Sequence, residues 1–349
     1  MPLPAFDDDA LDSALRRLHA TAPEFRGGLS NHGPMAVEAL DALGHPEQIA
    51  TFLDRYALRL EARVDAPPLS DWRSALGDPE ATSAIAASLR VRAAASEVDA
   101  FVAETLDVLA PGVVAAAFHG PLRAAHAYRS LSRRNSAERR EELIEGLAYW
   151  AARYQTLPGE PGCRAQAGLD AGTTLASLPL VAEADRLDGL ILDRFGPLQT
   201  LPGFVDAIER FDPHAQSPDA TLDVVIAACA RLYLGTQRAR NRFVYLHGVT
   251  STAAVRRLLP ALSEAARTRL VAYHVQAIAA VHATHAEDGD ALSRGWATPA
   301  IDPAQIAAAA AGSPDDHTIK LVEACLTEHA RGGPPELLVA AAERVGLLE

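Results

Sequence analysis

Along most of the chain the apolar positions recur at helical spacing. Leu11, Leu15 and Leu18 predict an amphipathic helix over 7–22 that ends before Pro23. Met35, Val37, Leu40 and Leu43 predict a second, stopped by Gly44, and Ile49, Leu53, Tyr56 and Leu60 a third over 46–62. Helical patterns resume over 80–94 and 96–110, a charged helix covers 136–154, and a strongly apolar one covers 221–235. A long helix runs from Arg267 to about Glu287, and a last one from Pro335 to Leu347. Alternating β-branched or aromatic runs are almost absent, with Phe243–Ser251 the nearest to an extended segment. The pattern predicts an all-α protein, a single large multi-helix domain over 1–349. Between 157 and 220, prolines and glycines separate short apolar segments, as expected of a lid over a site or a linker between helical halves.

Charge and cysteines narrow the setting. A formal net charge of −13 argues against a nucleic-acid surface. Cys163, Cys229 and Cys325 stand far apart, which fits a reducing compartment better than a disulfide frame. The aspartates at 7–9 are unlike a secretory leader, and the run from Val224 to Leu234 is short and broken by Arg231. No membrane and a cytoplasmic location are expected.

Lys320 is the only lysine; every other basic side chain in the Lys/Arg class is arginine. Ser313 suits a helix N-cap, Pro314 the first helical position and Asp316 a capping-box acid. His317 and Lys320 then lie at i and i+3 on a face that continues through Leu321 and Ala324, so Lys320 is expected to point inward. Burial disfavours an ammonium, and a neutral amine can react with a carbonyl or with carbon dioxide. A carbamate gives a lysine a carboxylate-like oxygen donor. The alternative is a structural lysine paired with Asp316 or Glu323.

Three histidines are followed directly by glycine: His32, His119 and His247. Glycine there permits close backbone approach. His32 leaves the loop 27–31 at the mouth of a helix, and His126 lies two turns beyond His119, able to share its face. His274, His282 and His285 on the long helix read as packing, with His285 near a helix C-terminus that favours a cation.

Four segments together resemble the questin oxidase-like family of helical proteins. Asn31-His32 with Leu40-Asp41-Ala42-Leu43-Gly44 resembles its Asn-His element and Leu-Gly helix end. His119 to Leu122 resembles its His-Pro-Leu-Ile-His element, with Arg123 in place of the second histidine. His247-Gly248-Val249-Thr250-Ser251 is similar to its His-Phe-Val-Thr-Ser element, and Asp316-His317-Thr318-Ile319-Lys320 to its Asp-x-His-x-x-Lys element. Further histidines that fungal members carry after the first element are absent, Met35 and Ala36 standing in that region.

The resemblance implies oxidation of aromatic or polyketide-like carbon skeletons by dioxygen. It also implies a non-haem iron held by His32, His119, His247, His317 and a carboxylated Lys320. Imidazole and carboxylate-type donors suit iron, and zinc or manganese accept them too. Arg123 and His126, close to His119, are expected to steer a phenolate or supply a proton to an apolar small-molecule substrate. The competing readings are an NADPH-dependent Baeyer–Villiger type monooxygenase, metal-dependent hydrolysis, and a non-enzymatic helical scaffold. No Gly-x-Gly-x-x-Gly follows a strand, so NADPH would act without a Rossmann site. A homodimer is compatible with the sequence.

Overall fold

Four helices form a closed circuit at the centre of the molecule. Gly33–Ala42 packs on His119–Arg133, which packs on Ala239–Leu258; that helix packs on Asp316–Ala330, which returns to Gly33–Ala42. Around them lie Ala10–Leu18, Ile49–Tyr56, Thr82–Ala93, Val98–Leu109, Ala137–Ala152, Pro218–Gly235, Glu264–His285 and Pro335–Arg344. The computed structural model describes residues 9–287 and 292–348. Residues 7 and 8 of the first expected helix, and with them most of the aspartate run, lie outside the described residues.

The main core threads all four central helices, and a smaller apolar cluster, with Leu11, Leu15, Leu40, Leu53 and Ile319, closes the end beside the first helices. The glycines that follow histidine sit in tight packing. A Cβ on Gly120 would stand 2.7 Å from the Trp150 backbone, and one on Gly248 would stand 2.8 Å from Cys229 Sγ. A side chain at either place would push the adjoining histidine-bearing turn away from its neighbour.

Local chemistry corrects one boundary and two elements. The lysine-bearing helix is capped by Asp315, not Ser313: Asp315 accepts from the His317 N–H at 3.1 Å and from the Thr318 hydroxyl at 2.8 Å. An ionised acid is the stronger acceptor, and Ser313 Oγ instead takes the Asp315 N–H at 3.1 Å. The segment 243–251 is not extended but lies inside the Ala239–Leu258 helix. Its hydroxyls bond back along the helix, Thr250 to the Leu246 carbonyl at 3.1 Å and Ser251 to the Gly248 carbonyl at 3.2 Å, and burial outweighs β propensity. The loop before His32 contains a two-stranded ribbon, Glu24–Phe25 with Leu29–Ser30. Among the described residues no helix is long and apolar enough to cross a membrane.

Candidate metal centre

Each of the four central helices brings one histidine to the same end of the circuit. His32 caps the Gly33–Ala42 helix, and its backbone N–H donates to Tyr56 Oη at 2.6 Å. His119 opens its helix after three consecutive left-handed residues, Ala116, Ala117 and Phe118, with φ of 50°, 53° and 72°. Non-glycine residues there cost roughly 1–2 kcal/mol each, so the surrounding packing must offset the strain. Phe118 is fully buried, and the small alanines let the turn face the cavity. His247 stands mid-helix; His317 and Lys320 share one turn, as their spacing predicts.

The four imidazoles close a ring of their own. Centroids are 4.5 Å apart for His32 and His119, 5.0 Å for His119 and His247, 5.4 Å for His247 and His317, and 4.7 Å for His317 and His32. Ring nitrogens of His32, His119 and His317 lie within 4.8 Å of one another. On the outer side every Nδ1 has a partner. His119 Nδ1 donates to the Ala116 carbonyl and His247 Nδ1 to the Phe243 carbonyl, the latter at 2.8 Å. His32 Nδ1 bonds Asp316 Oδ2, and His317 Nδ1 lies 3.2 Å from the same oxygen. On the inner side Nε2 of His119, His247 and His317 is buried with no hydrogen-bond partner. Buried polar atoms without partners are rare and call for an explanation. A divalent ion is one that this donor set fits: neutral imidazoles, three of them fixed in one tautomer by an outer acceptor and the fourth beside a carboxylate.

Electrostatics favour the neutral rings. Burial, then the Lys320 charge, brings His32 down to about 3 against the pull of Asp316. Burial and the neighbouring cations likewise hold His119 and His247 well below the ordinary imidazole value, and His317 below it. Lys320 is 2% exposed, and burial brings its amine down to about 8 although Asp316 opposes the shift. Its Nζ lies 3.7 Å from Asp316 Oδ2. The acid pairing weighed against a reactive amine is therefore present in the unmodified side chain.

A family model described as questin oxidase-like matches residues 29–325. The chain belongs to the questin oxidase-like family. No curated protein matches it. Membership implies oxidoreductase activity of the oxidase or oxygenase kind, with a small-molecule substrate and dioxygen.

The imidazole ring of this questin oxidase-like chain opens onto a cavity of about 430 Å³. Its walls come from the ribbon at 24–30, the left-handed turn at Ala116 and Ala117, Phe243, and Leu190–Asp193 of the loop-rich segment. Aliphatic and aromatic surface dominates, as in a site for an apolar ligand.

Two expected residues do not reach it. Arg123 turns away to Glu142, with Nε and Nη2 at 2.6 and 3.0 Å from its two oxygens, and His126 Nδ1 donates to Glu38 at 2.6 Å. Neither lines the cavity, which corrects the expectation that they steer substrate or supply a proton. The buried acids Glu142 and Glu38 hold them elsewhere. His274 bonds Thr252 at 2.9 Å and packs edge-on to Phe118, behind His119. Asp316, read from the sequence as a capping-box acid and a partner for Lys320, hydrogen-bonds His32 Nδ1 and lies 3.2 Å from His317 Nδ1.

Proposed function

We propose that the chain is a non-haem iron oxygenase that oxidises an apolar, aromatic or polyketide-like small molecule. His32, His119, His247, His317 and a carboxylated Lys320 hold the iron. The observation that carries this reading is the set of three buried Nε2 atoms facing inward without partners while the opposite nitrogens are engaged. When bound, iron supplies the redox chemistry that couples dioxygen reduction to substrate oxidation.

The chain's own residues do the rest. Asp316 fixes His32 in the tautomer that leaves Nε2 free and lies 3.2 Å from His317 Nδ1, and the Ala116 and Phe243 carbonyls fix His119 and His247 in the same tautomer. Lys320 gives up one proton to become a neutral amine, and that amine adds carbon dioxide at Nζ with loss of a second proton, so that a cation among four neutral rings is exchanged for an anionic oxygen donor. That change removes the repulsion an ammonium would exert on a bound metal cation. Phe243 and Leu190–Leu192 shield the cavity from water, the latter making the 157–220 segment a cover rather than only a linker. The donor set also accepts zinc or manganese, so metal identity is read from activity.

Oxygen uptake tests the proposal. The full chain loaded with ferrous iron is presented with a panel of polycyclic aromatic compounds in an oxygen electrode. Uptake that depends on one of them, and that falls at least about hundredfold in His247→Ala, is the expected result. A requirement for added NADPH would favour the Baeyer–Villiger reading, and turnover without oxygen would favour hydrolysis. An iron-replete protein inert towards the whole panel contradicts the oxygenase.

A further inference from the structure

The ribbon that lines the cavity carries a hydrogen-bond chain with a fixed direction. Glu24 and Ser30 are cross-strand partners, which sets both side chains on one side of the ribbon, and both line the cavity. Tyr149 reaches them from the Ala137–Ala152 helix: its hydroxyl donates to Glu24 Oε1 at 2.8 Å, and its oxygen lies 2.7 Å from Ser30 Oγ. Glu24 is ion-paired with Arg153, a further residue of the cavity wall.

A carboxylate only accepts, so the single phenolic proton of Tyr149 is committed to Glu24. Burial, and then the Glu24 charge, push the Tyr149 hydroxyl well above its ordinary value, which keeps that proton in place. The contact between Tyr149 and Ser30 must then be donated by Ser30. Its proton is spent, and its oxygen keeps lone pairs for the cavity.

We infer that Ser30 Oγ is an obligate acceptor in the substrate cavity, set by Tyr149 and Glu24, and that it selects a substrate with a hydroxyl donor over the same molecule with that hydroxyl alkylated. The inference rests on the reading of this cavity as the substrate site. Ser30 is the specificity residue; Tyr149 and Glu24 are positioning residues that act through it. A hydroxyl can donate to the Ser30 oxygen, whereas a methyl ether places acceptor against acceptor. Sites built to hydrogen-bond a hydroxyl discriminate strongly against analogues that lack it.

The test is equilibrium binding of 1-naphthol and 1-methoxynaphthalene to the full chain under argon, where no turnover occurs. The wild type is expected to bind the naphthol on the order of tenfold more tightly or better. In Ser30→Ala the ratio falls to about one, in Tyr149→Phe it falls in the same direction because Ser30 is freed to donate, and in Ser30→Thr it is retained. The selectivity ratio, rather than affinity alone, is the readout that a general loosening of the ribbon would not produce. A wild-type ratio near one, no measurable naphthol binding, or a ratio unchanged in Ser30→Ala or Tyr149→Phe overturns the inference. An oxygen electrode trace that stays flat while the ratio holds would sink the oxygenase and leave the acceptor standing.

Discussion

Lys320→Ala is expected to lower substrate-dependent oxygen uptake by at least about hundredfold and to leave the chain folded. Lys320 is the one donor in the proposed set that can supply negative charge, and it sits on the same helical turn as His317. Without it, four neutral imidazoles face the ion, and the anionic oxygen that would balance its charge is gone. Acetate diffused into the cavity is expected to restore part of the activity, because it replaces the missing carboxylate-like oxygen. The wild type grown or equilibrated with ¹³C-bicarbonate should also show one carbamate carbon by NMR, absent in the variant. If Lys320 serves only as the ion-pair partner of Asp316, 3.7 Å away, the outcome differs. Asp316 keeps its contacts to His32 and His317, acetate has no effect and no carbamate signal is found.

The second large effect concerns stability, and arises below the imidazole ring. The same four helices meet again in a buried ionic layer. Glu38 takes His126 and Arg129, and Glu323 takes Arg129 and Arg257, the last at 2.7 and 2.8 Å. Burial alone would raise the Glu323 carboxyl, but the two facing guanidinia outweigh it and hold the group ionised. Glu323→Ala leaves Arg257 buried without its carboxylate and Arg129 with Glu38 alone. Removing one partner of a buried pair typically costs about 3–5 kcal/mol. Urea denaturation of the metal-free variant is expected to show a loss of that size, with Glu323→Gln losing less because its amide oxygen still accepts. A loss under about 1 kcal/mol for the alanine variant would mean that the layer is not what registers the four helices.

How much of this was legible in the sequence follows from the range of each interaction. Helical spacing is a local pattern and located the helices, and a lone lysine drew attention to Lys320, whereas the set of five candidate ligands comes from the resemblance to the questin oxidase-like family. Arg123 and His126 were misread because their partners, Glu142 and Glu38, are 19 and 88 residues away, and a charge pair at that separation leaves no periodic trace. The same holds for Ser30, whose direction is set by Tyr149, 119 residues on. Phe243–Ser251 differs from its expectation for another reason: its aromatic and β-branched residues satisfy a strand pattern, and only the burial of Val244 to Ser251 between helices makes a helix the better state. The cap at Asp315 lost to Ser313 on paper because capping preferences rank the two nearly alike. The links to Thr318 and Arg344 decide the matter.

Anomalous diffraction from crystals of the iron-loaded full chain, recorded on both sides of the iron absorption edge, tests the central assignment most directly. One peak bonded to the Nε2 atoms of His32, His119, His247 and His317, with continuous density joining it to an extended Lys320 side chain, is the result predicted here. A featureless map inside that ring, or an iron peak held by other residues, would contradict it.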